Sequence, residues 1–248
     1  MSSLFFKPSL PGDLATRQPV RRCRAGYLIA SLALLLCAAN CQASLCQTGQ
    51  RQSPINITAA SVVAGKLPAM RFDYRAAPLR LANDGHTLRV RFDKSGQLTL
   101  GPEHYTLQQF HFHTPGGDQI DGENFPFAAH ILHKSSAGQL LSIVVPFRLG
   151  ADNPLLSQLM PLIPARVDGD HQHPAITVSA QQLMPRQLGY YRYTGSLTAA
   201  PCTEGVQWLV MKQPLELSSS QLAAYRSHFA DNMRPVNPLH QRQIFESR

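Results

Sequence analysis

The chain has 248 residues, of which 44% are apolar and 15% are charged. This composition is typical of a globular protein, and it excludes disordered, collagen-like and coiled-coil chains. A chain of this length can bury a large apolar core on folding. Two numbers are unusual. The formal net charge is +8, which suggests nucleic acid as a partner, and five cysteines are an odd number for a secreted protein.

Residues 1–43 are predicted to be a cleaved signal peptide. Arginines precede an apolar run, 27–39, that is too short to span a bilayer. Cleavage after Ala43 would place Cys41 and Ala43 at the two positions that require small residues. Three alternatives stay open: a membrane anchor, lipid attachment at Cys41, and a twin-arginine signal at residues 21–22.

Removal of this segment changes both unusual numbers. It holds five of the 23 Lys and Arg residues and one of the 15 acidic residues, so the mature chain carries a net charge of +4. Three of the five cysteines leave with it, and Cys46 and Cys202 remain. The sequence has no basic cluster interleaved with aromatic residues, so we do not expect nucleic-acid binding. We expect a periplasmic or secreted protein without a membrane span after cleavage.

Residues 44–248 are predicted to form a single, mostly β domain, because they contain no internal repeat and no long linker. Apolar and polar residues alternate in 86–93, as in a half-buried strand, and an Asn-Asp-Gly turn joins this strand to another at 79–81. Helical periodicity is convincing only at 218–232, where serines can cap the N-terminus. Three further extended stretches are predicted, at residues 105–113, 125–133 and 140–147.

Two histidines, His111 and His113, lie within one predicted strand. Successive side chains of a strand point to opposite faces, so residues two apart share a face and these two imidazoles form a bidentate platform. The same alternation predicts that Leu107 and Gln109 lie on this face too. Gln109 could then accept a hydrogen bond from one of the imidazoles and fix its tautomer.

A third histidine, His130, follows seventeen residues after His113, on the next extended stretch. A connection of that length allows an antiparallel strand to return beside the first, where His130 could complete a three-histidine site. His133 should face the opposite side of its strand, and we interpret it as a structural or surface histidine. Three imidazoles without a cysteine or carboxylate ligand leave one tetrahedral position open, which is typical of catalytic zinc.

Several ordered blocks of the sequence carry a resemblance to a known family. They lie between Cys46 and Ile244, at residues 52–57, 83–86, 109–113, 129–130, 193–198, 201–202, 208 and 232–235. In these blocks the chain resembles the α-class carbonic anhydrases, in particular the bacterial periplasmic members. The resemblance implies a central, mostly antiparallel, twisted ten-stranded sheet with short peripheral helices. It also implies reversible hydration of carbon dioxide to bicarbonate and a proton by a zinc-bound hydroxide.

The resemblance assigns a role to each residue of the expected zinc site. His111, His113 and His130 correspond to the zinc ligands. Gln109 and the backbone of Asn232 correspond to the groups that orient the first two ligands.

Residues around that site also acquire roles from the resemblance. Thr198 corresponds to the residue whose hydroxyl bonds to the zinc-bound hydroxide and whose backbone N–H helps to place the substrate. Leu132, Leu197 and Trp208 correspond to the apolar wall on which carbon dioxide rests. His86 corresponds to the proton shuttle, since an imidazole can take up and release protons near neutral pH. Cys46 and Cys202 correspond to the disulfide of the exported members.

The sequence departs from the family pattern at two glutamates. Gly117 stands where the family has the glutamate that accepts the proton of the catalytic threonine. Ala128 stands where it has the glutamate that accepts the ring N–H of the third ligand. Loss of such a partner costs about 10- to 100-fold in metal affinity or activity. Water could replace the second acceptor, or an acidic residue of the loop at 118–123 could turn in.

Two functions are therefore predicted. The first is a periplasmic zinc carbonic anhydrase whose rate could be reduced. The second is a carbonic-anhydrase-related protein that has lost catalysis and holds zinc or another ligand, because Gly117 and Ala128 replace the two glutamates.

Overall fold

The computed structural model describes residues 45–93, 95–167 and 169–247. The predicted signal peptide at 1–43 lies outside these residues and stays a prediction. Within the described part of the chain, no helix has both the length and the apolar character that a membrane span needs.

Strands dominate the described residues, and the helices are short. The strands are β1 (Asn56–Ile57), β2 (Val62–Ala64), β3 (Met70–Tyr74), β4 (Ala77–Asn83), β5 (Leu88–Arg91), β6 (Gly96–Leu100), β7 (Glu103–His113), β8 (Gln119–Ile120), β9 (Glu123–Asn124), β10 (Phe127–Ser135), β11 (Leu140–Leu149), β12 (His171–Val178), β13 (Tyr190–Ser196), β14 (Glu204–Met211), β15 (Leu215–Leu217) and β16 (Ile244–Glu246). The α-helices with both ends described are α1 (Pro154–Leu159) and α2 (Ser219–Arg226). Shorter helical turns lie at 45–48, Ala59–Ser61, Met160–Leu162 and Ala180–Leu183.

One large, twisted sheet organises the fold. Ten strands follow one another in the order β12-β4-β5-β7-β10-β11-β14-β13-β16-β2, and β3, β6 and β15 join this path at its side. Most neighbouring strands are antiparallel, and the parallel pairs are β11–β14, β11–β15 and β16–β2. The predicted fold, a mostly antiparallel ten-stranded sheet with short peripheral helices, is confirmed. The three small strands β1, β8 and β9 form a separate sheet.

Both faces of the central strands are buried, which explains why β11 is apolar along most of its length. One face packs into a large core that includes Phe112, Phe127 and Ile131. The other face packs into a small core formed by Ile55, Ile57, Ala128, Val144, Tyr193, Val206, Trp208, Val210 and Ile244. Because side chains alternate along β10, Ala128 lies on the small-core face while its neighbour Phe127 lies on the large-core face.

A β-bulge in the β7–β10 pair changes the expected alternation. Leu132 pairs with Gln109, but the next residue, His133, pairs with Leu107, so Gln108 is the extra residue. The prediction that Leu107 shares a face with Gln109 is therefore wrong, because Leu107 is fully buried in the large core. His133 is also fully buried, and its Nε2 lies 2.6 Å from the Tyr74 hydroxyl. Of the two interpretations of His133, a structural or a surface histidine, the structural one is correct.

Helix α2 begins where predicted and ends earlier. The Ser218 hydroxyl accepts a hydrogen bond from the Gln221 backbone N–H in a capping box, as the serine-rich start indicates. The helix ends at Arg226, whereas the periodicity predicts residue 232. Asn232 instead bonds to the loop after β7: its N–H donates to the Thr114 carbonyl and its side chain accepts from the Thr114 N–H. If Asn232 were helical, its N–H would donate to a carbonyl of the helix and could not bond to Thr114.

Helix α1 was not predicted, although its start carries a recognisable signal. Asn153 caps it by accepting from the N–H groups of Leu155 and Leu156, and Pro154 occupies the first helical position. The helix is only one and a half turns long, so no apolar periodicity can be read from it.

The predicted disulfide between Cys46 and Cys202 is present. It closes a loop of 156 residues, which stabilises the fold by about 5 kcal/mol in the chain-entropy account. The bond ties the beginning of the described chain to the segment that leads into β14.

The buried His133 gives the fold a pH-dependent stability. Burial lowers its pKa to about 4, whereas an unfolded histidine has a pKa of about 6.5. Below pH 6.5 the unfolded chain binds a proton that the folded chain does not, so the free energy of unfolding falls until about pH 4. The loss attributable to this one group is about 3 kcal/mol.

Denaturant unfolding of wild type and His133→Gln between pH 7 and pH 4 measures this effect. We expect the free energy of unfolding of the wild type, relative to that of the variant, to fall by about 3 kcal/mol from pH 7 to pH 4. The same substitution at the exposed His104 serves as the matched control. A wild-type advantage that is independent of pH would contradict the assignment.

Candidate metal centre

Three histidine side chains meet between β7 and β10. The two strands are antiparallel neighbours, and their register pairs His130 directly with His111. The ring centroids lie 4.9 Å apart for His111–His113, 5.4 Å for His111–His130 and 4.4 Å for His113–His130. One ring nitrogen from each histidine lies within 4.8 Å of the others, so the group could hold a metal ion. The strand return predicted for His130 thus brings all three imidazoles together.

Two of the three imidazoles are oriented by hydrogen bonds. Nδ1 of His111 lies 3.1 Å from Oε1 of Gln109, and Nδ1 of His113 lies 3.3 Å from the backbone carbonyl oxygen of Asn232. With an N–H at Nδ1 donating to these acceptors, Nε2 of each ring is left for a metal. Nε2 of His113 is buried and has no hydrogen-bond partner among the described residues, as expected for a ligand atom.

The electrostatic environment keeps the three imidazoles neutral. Burial is the largest cause and lowers the pKa of every ring, for His113 to about 4. The pKa of His111 is lowered further by its neighbour His113, because protonation of both rings at once is unfavourable, and by the positive charge of Arg89. A neutral imidazole is the form that binds a metal.

The third imidazole, His130, is oriented differently from the other two. Ala128, two residues earlier on the same strand face, has no side-chain acceptor. Among the described residues, Nε2 of His130 is buried and has no hydrogen-bond partner at normal distance. Burial and the two neighbouring histidines lower the pKa of His130, and an interaction with the Gly116 backbone raises it.

Gly117 has a backbone conformation that favours glycine, and the side chain of Met233 lies against it. Its φ is +95°, a region that residues with a side chain rarely adopt. A Cβ atom at this position would lie 2.9 Å from Cε and 3.2 Å from Sδ of Met233. The thioether of Met233 therefore occupies the space that a side chain at residue 117 would need.

The acidic residues of the following loop do not make the hydrogen bonds that the sequence resemblance assigns to two glutamates. The Asp118 carboxylate accepts hydrogen bonds from the Ile55 N–H and the Tyr193 hydroxyl, and Asp121 accepts from the Ala59 N–H. Glu123 is exposed. In the described chain, none of these acids hydrogen-bonds to Thr198 or His130.

A cleft of about 690 Å³ leads to the histidine cluster. Five residues predicted from the sequence line this one cavity: His86, His111, His113, Thr198 and Asn232. His86 is exposed, as expected of a residue that exchanges protons with solvent.

The three residues predicted to form the apolar wall lie close to the strands that carry the ligands. The Trp208 indole packs edge to face on His130 at 5.2 Å and donates its N–H to the Ser196 carbonyl. Leu197 is half-buried against the small core, and the half-buried Leu132 pairs with Gln109 across β7 and β10.

Sequence reasoning gave no site role to several residues that line the cleft, among them Asp84, Arg89 and Met233. Asp84 and Arg89 form an ion pair there. Strand alternation placed Arg89 on a polar face, but only the pairing of β5 with β7 sets it opposite His111. No sequence signal predicted that Met233 would cover Gly117, because the two residues are distant in the chain.

The comparison with known proteins agrees with this fold and site. Residues 39–248 match the family model described as eukaryotic-type carbonic anhydrase. The carbonic anhydrase of Pectobacterium carotovorum is 41% identical over 203 residues, covering 81% of this chain and 82% of that protein. The carbonic anhydrase of Neisseria gonorrhoeae is 41% identical over 207 residues, covering 82% and 79%.

Two solved structures are also similar. The α-carbonic anhydrase from Thermovibrio ammonificans, in complex with the inhibitor sulfanilamide, has a TM-score of 0.79 at 35% identity and covers 82% of this chain and 90% of its own. Dioscorin complexed with ascorbate has a TM-score of 0.77 at 32% identity and covers 83% and 89%. The class is thus a mostly β fold with a three-histidine centre, and the chain belongs to the α-carbonic anhydrase family of enzymes.

The contact between Gly117 and Met233 predicts how the substitution Gly117→Glu affects stability. Gly117→Glu combines a positive φ with a clash, whereas Gly122→Glu has a positive φ with nothing within 4 Å, and is the matched control. Backbone strain alone costs about 1–3 kcal/mol at either position. We expect Gly117→Glu to lower the free energy of unfolding more than Gly122→Glu does. In a chain that already carries Met233→Ala, the extra loss caused by Gly117→Glu should disappear.

Urea unfolding of these variants and of Met233→Ala alone measures the four free energies. Equal losses for the two glutamate variants would show that Met233 does not restrict residue 117.

Proposed function

We propose that the protein catalyses the zinc-dependent, reversible hydration of carbon dioxide to bicarbonate and a proton, after export to the periplasm or the cell exterior. The observation that carries the proposal is the cluster of His111, His113 and His130 beside an open cleft. Family membership supports the reaction. The disulfide and the predicted signal peptide support an oxidising compartment.

The donor set of the cluster fits zinc. Three neutral imidazoles, two of them oriented through Nδ1, match a catalytic zinc site with one open position, and the buried Nε2 of His113 lacks any other partner. Bound zinc would lower the pKa of a coordinated water to about 7 and so supply a hydroxide nucleophile.

The remaining residues position the reactants. Thr198 lines the cleft and would orient the nucleophile through its hydroxyl and the substrate through its backbone N–H. Leu132, Leu197 and Trp208 would give carbon dioxide an apolar surface. Arg89 and Asp84 add a charge pair to the cleft wall opposite the first ligand.

His86 is suited to move protons between the cleft and solvent. Its backbone is fixed at both ends, because its N–H donates to the Asp84 carboxylate and its carbonyl accepts from the Asn232 side chain. Its ring makes no hydrogen bond within the described chain and is free to turn between the cleft and the exterior.

A second function is favoured by one specific observation, the absence of an acceptor at both Gly117 and Ala128. A carbonic-anhydrase-related protein could keep the fold and hold zinc or another small ligand without hydrating carbon dioxide. Dioscorin, which has been solved with ascorbate, has a similar structure.

Stopped-flow carbon dioxide hydration by the purified protein, together with elemental analysis, separates the two functions. We expect one zinc per chain and a hydration rate above buffer that His113→Ala lowers by at least about 100-fold together with the zinc content. Zinc at full occupancy with a rate equal to that of buffer would favour the binding function. His228→Ala, on the exposed surface, is the control for loss of a histidine.

The role of His86 is tested separately. In dilute buffer His86→Ala should slow hydration by about 100-fold, the lower end for a positioned proton-transfer group, and added imidazole should restore the rate. His104→Ala is the control. A rate that falls without imidazole rescue would assign His86 a structural role through its contact with Asn232.

A further inference from the structure

We propose that Asp118 positions His130 through ordered water, so that its free carboxylate oxygen replaces the hydrogen-bond acceptor that Ala128 lacks. The inference rests on the zinc site of the proposed function and adds a residue to it.

His130 needs an acceptor. A histidine that binds a metal through one nitrogen carries a proton on the other, and this N–H almost always donates to a carboxylate, a carbonyl or water. His111 and His113 have Gln109 and the Asn232 carbonyl for this purpose. For His130, the Nε2 atom is buried and has no hydrogen-bond partner at normal distance in the described chain, and the Gly116 backbone interacts with the ring.

One carboxylate oxygen of Asp118 is available as a hydrogen-bond acceptor. Its Oδ1 accepts from the Ile55 N–H at 3.0 Å and from the Tyr193 hydroxyl at 2.8 Å. Its Oδ2 is buried without a partner, and the whole residue is 4% exposed. A buried carboxylate oxygen without a hydrogen bond is costly, so a donor is expected beside it.

The two unpartnered groups border the same small core. Asp118 is bonded to Tyr193, the Tyr193 ring stacks on Trp208 at 5.9 Å, and Trp208 packs on His130 at 5.2 Å. Ala128 belongs to this core. A Cβ at Gly116 would lie 3.2 Å from the Ala128 methyl, so the loop that carries Asp118 passes directly over this position.

Water suits this place because the polar groups at the edge of the small core include both a donor and acceptors. A buried water commonly makes about three hydrogen bonds. Here the His130 N–H is a donor, Oδ2 of Asp118 is an acceptor, and the Gly116 carbonyl, which interacts with the His130 ring, is a second acceptor. Alanine at residue 128 has no polar atom that would compete for these groups.

Zinc affinity is the first readout, measured by chelator competition with zinc alone. Asp118→Asn keeps an oxygen for Ile55 but turns a donor toward His130, and we expect the zinc dissociation constant to rise about tenfold or more. Tyr193→Phe is the matched control, since it removes a hydrogen bond from Oδ1 and leaves Oδ2 unchanged. We expect it to change zinc affinity by less than about threefold.

The second readout is the imidazole N–H signal of His130 in the zinc-loaded protein, observed by NMR with ¹⁵N-labelled histidine. The wild type and Tyr193→Phe should show a slowly exchanging N–H proton, and Asp118→Asn should shift it upfield and speed its exchange. Ala128→Glu added to Asp118→Asn should restore both the signal and the zinc affinity, because it supplies the acceptor from the strand.

Unchanged zinc affinity and N–H signal in Asp118→Asn would overturn the proposal and leave the Gly116 carbonyl as the acceptor. Equal weakening by Tyr193→Phe would also overturn it and show a purely structural role. Neither readout depends on hydration activity. A protein that binds zinc without hydrating carbon dioxide would therefore refute the proposed function and leave this inference intact.

Discussion

The pairing of β7 with β10 is the constraint on which the site depends. Strand alternation puts His111 and His113 on one face, and the register sets His130 directly opposite His111. A slip of one residue would turn His130 into the large core and destroy the cluster. The one irregularity of this pair, the bulge between Leu132 and His133, lies beyond the cluster and leaves its register intact.

The three histidines differ in the hydrogen bonds that orient their rings, and the difference has a physical explanation. Two of them have close acceptors, whereas His130 faces an alanine. Two neighbouring contacts bear on these positions: Met233 occupies the space over Gly117, and Asp118 holds a carboxylate bonded to Tyr193 of the small core. Burial raises the pKa of Asp118 to about 6, which reflects the cost of holding that charge there.

Much of the fold and site could be predicted from the sequence, because strand alternation, turn chemistry and the histidine spacing are local signals. The paired cysteines and the family blocks extended these predictions to the disulfide and to His86 and Thr198. What failed depended on contacts between distant segments. The bulge turns Leu107 to the opposite face of β7. Asn232 lies outside the helix and bonds to Thr114. The contact between Met233 and Gly117 joins two segments that are distant in the chain.

The central claim is that three imidazoles from two paired strands form a zinc site with one open position. X-ray absorption at the zinc edge of the purified protein tests it most directly. We predict three imidazole nitrogens and one oxygen or nitrogen from solvent, all at about 2.0–2.1 Å. A sulfur ligand at about 2.3 Å, or fewer than three imidazoles, would contradict the account.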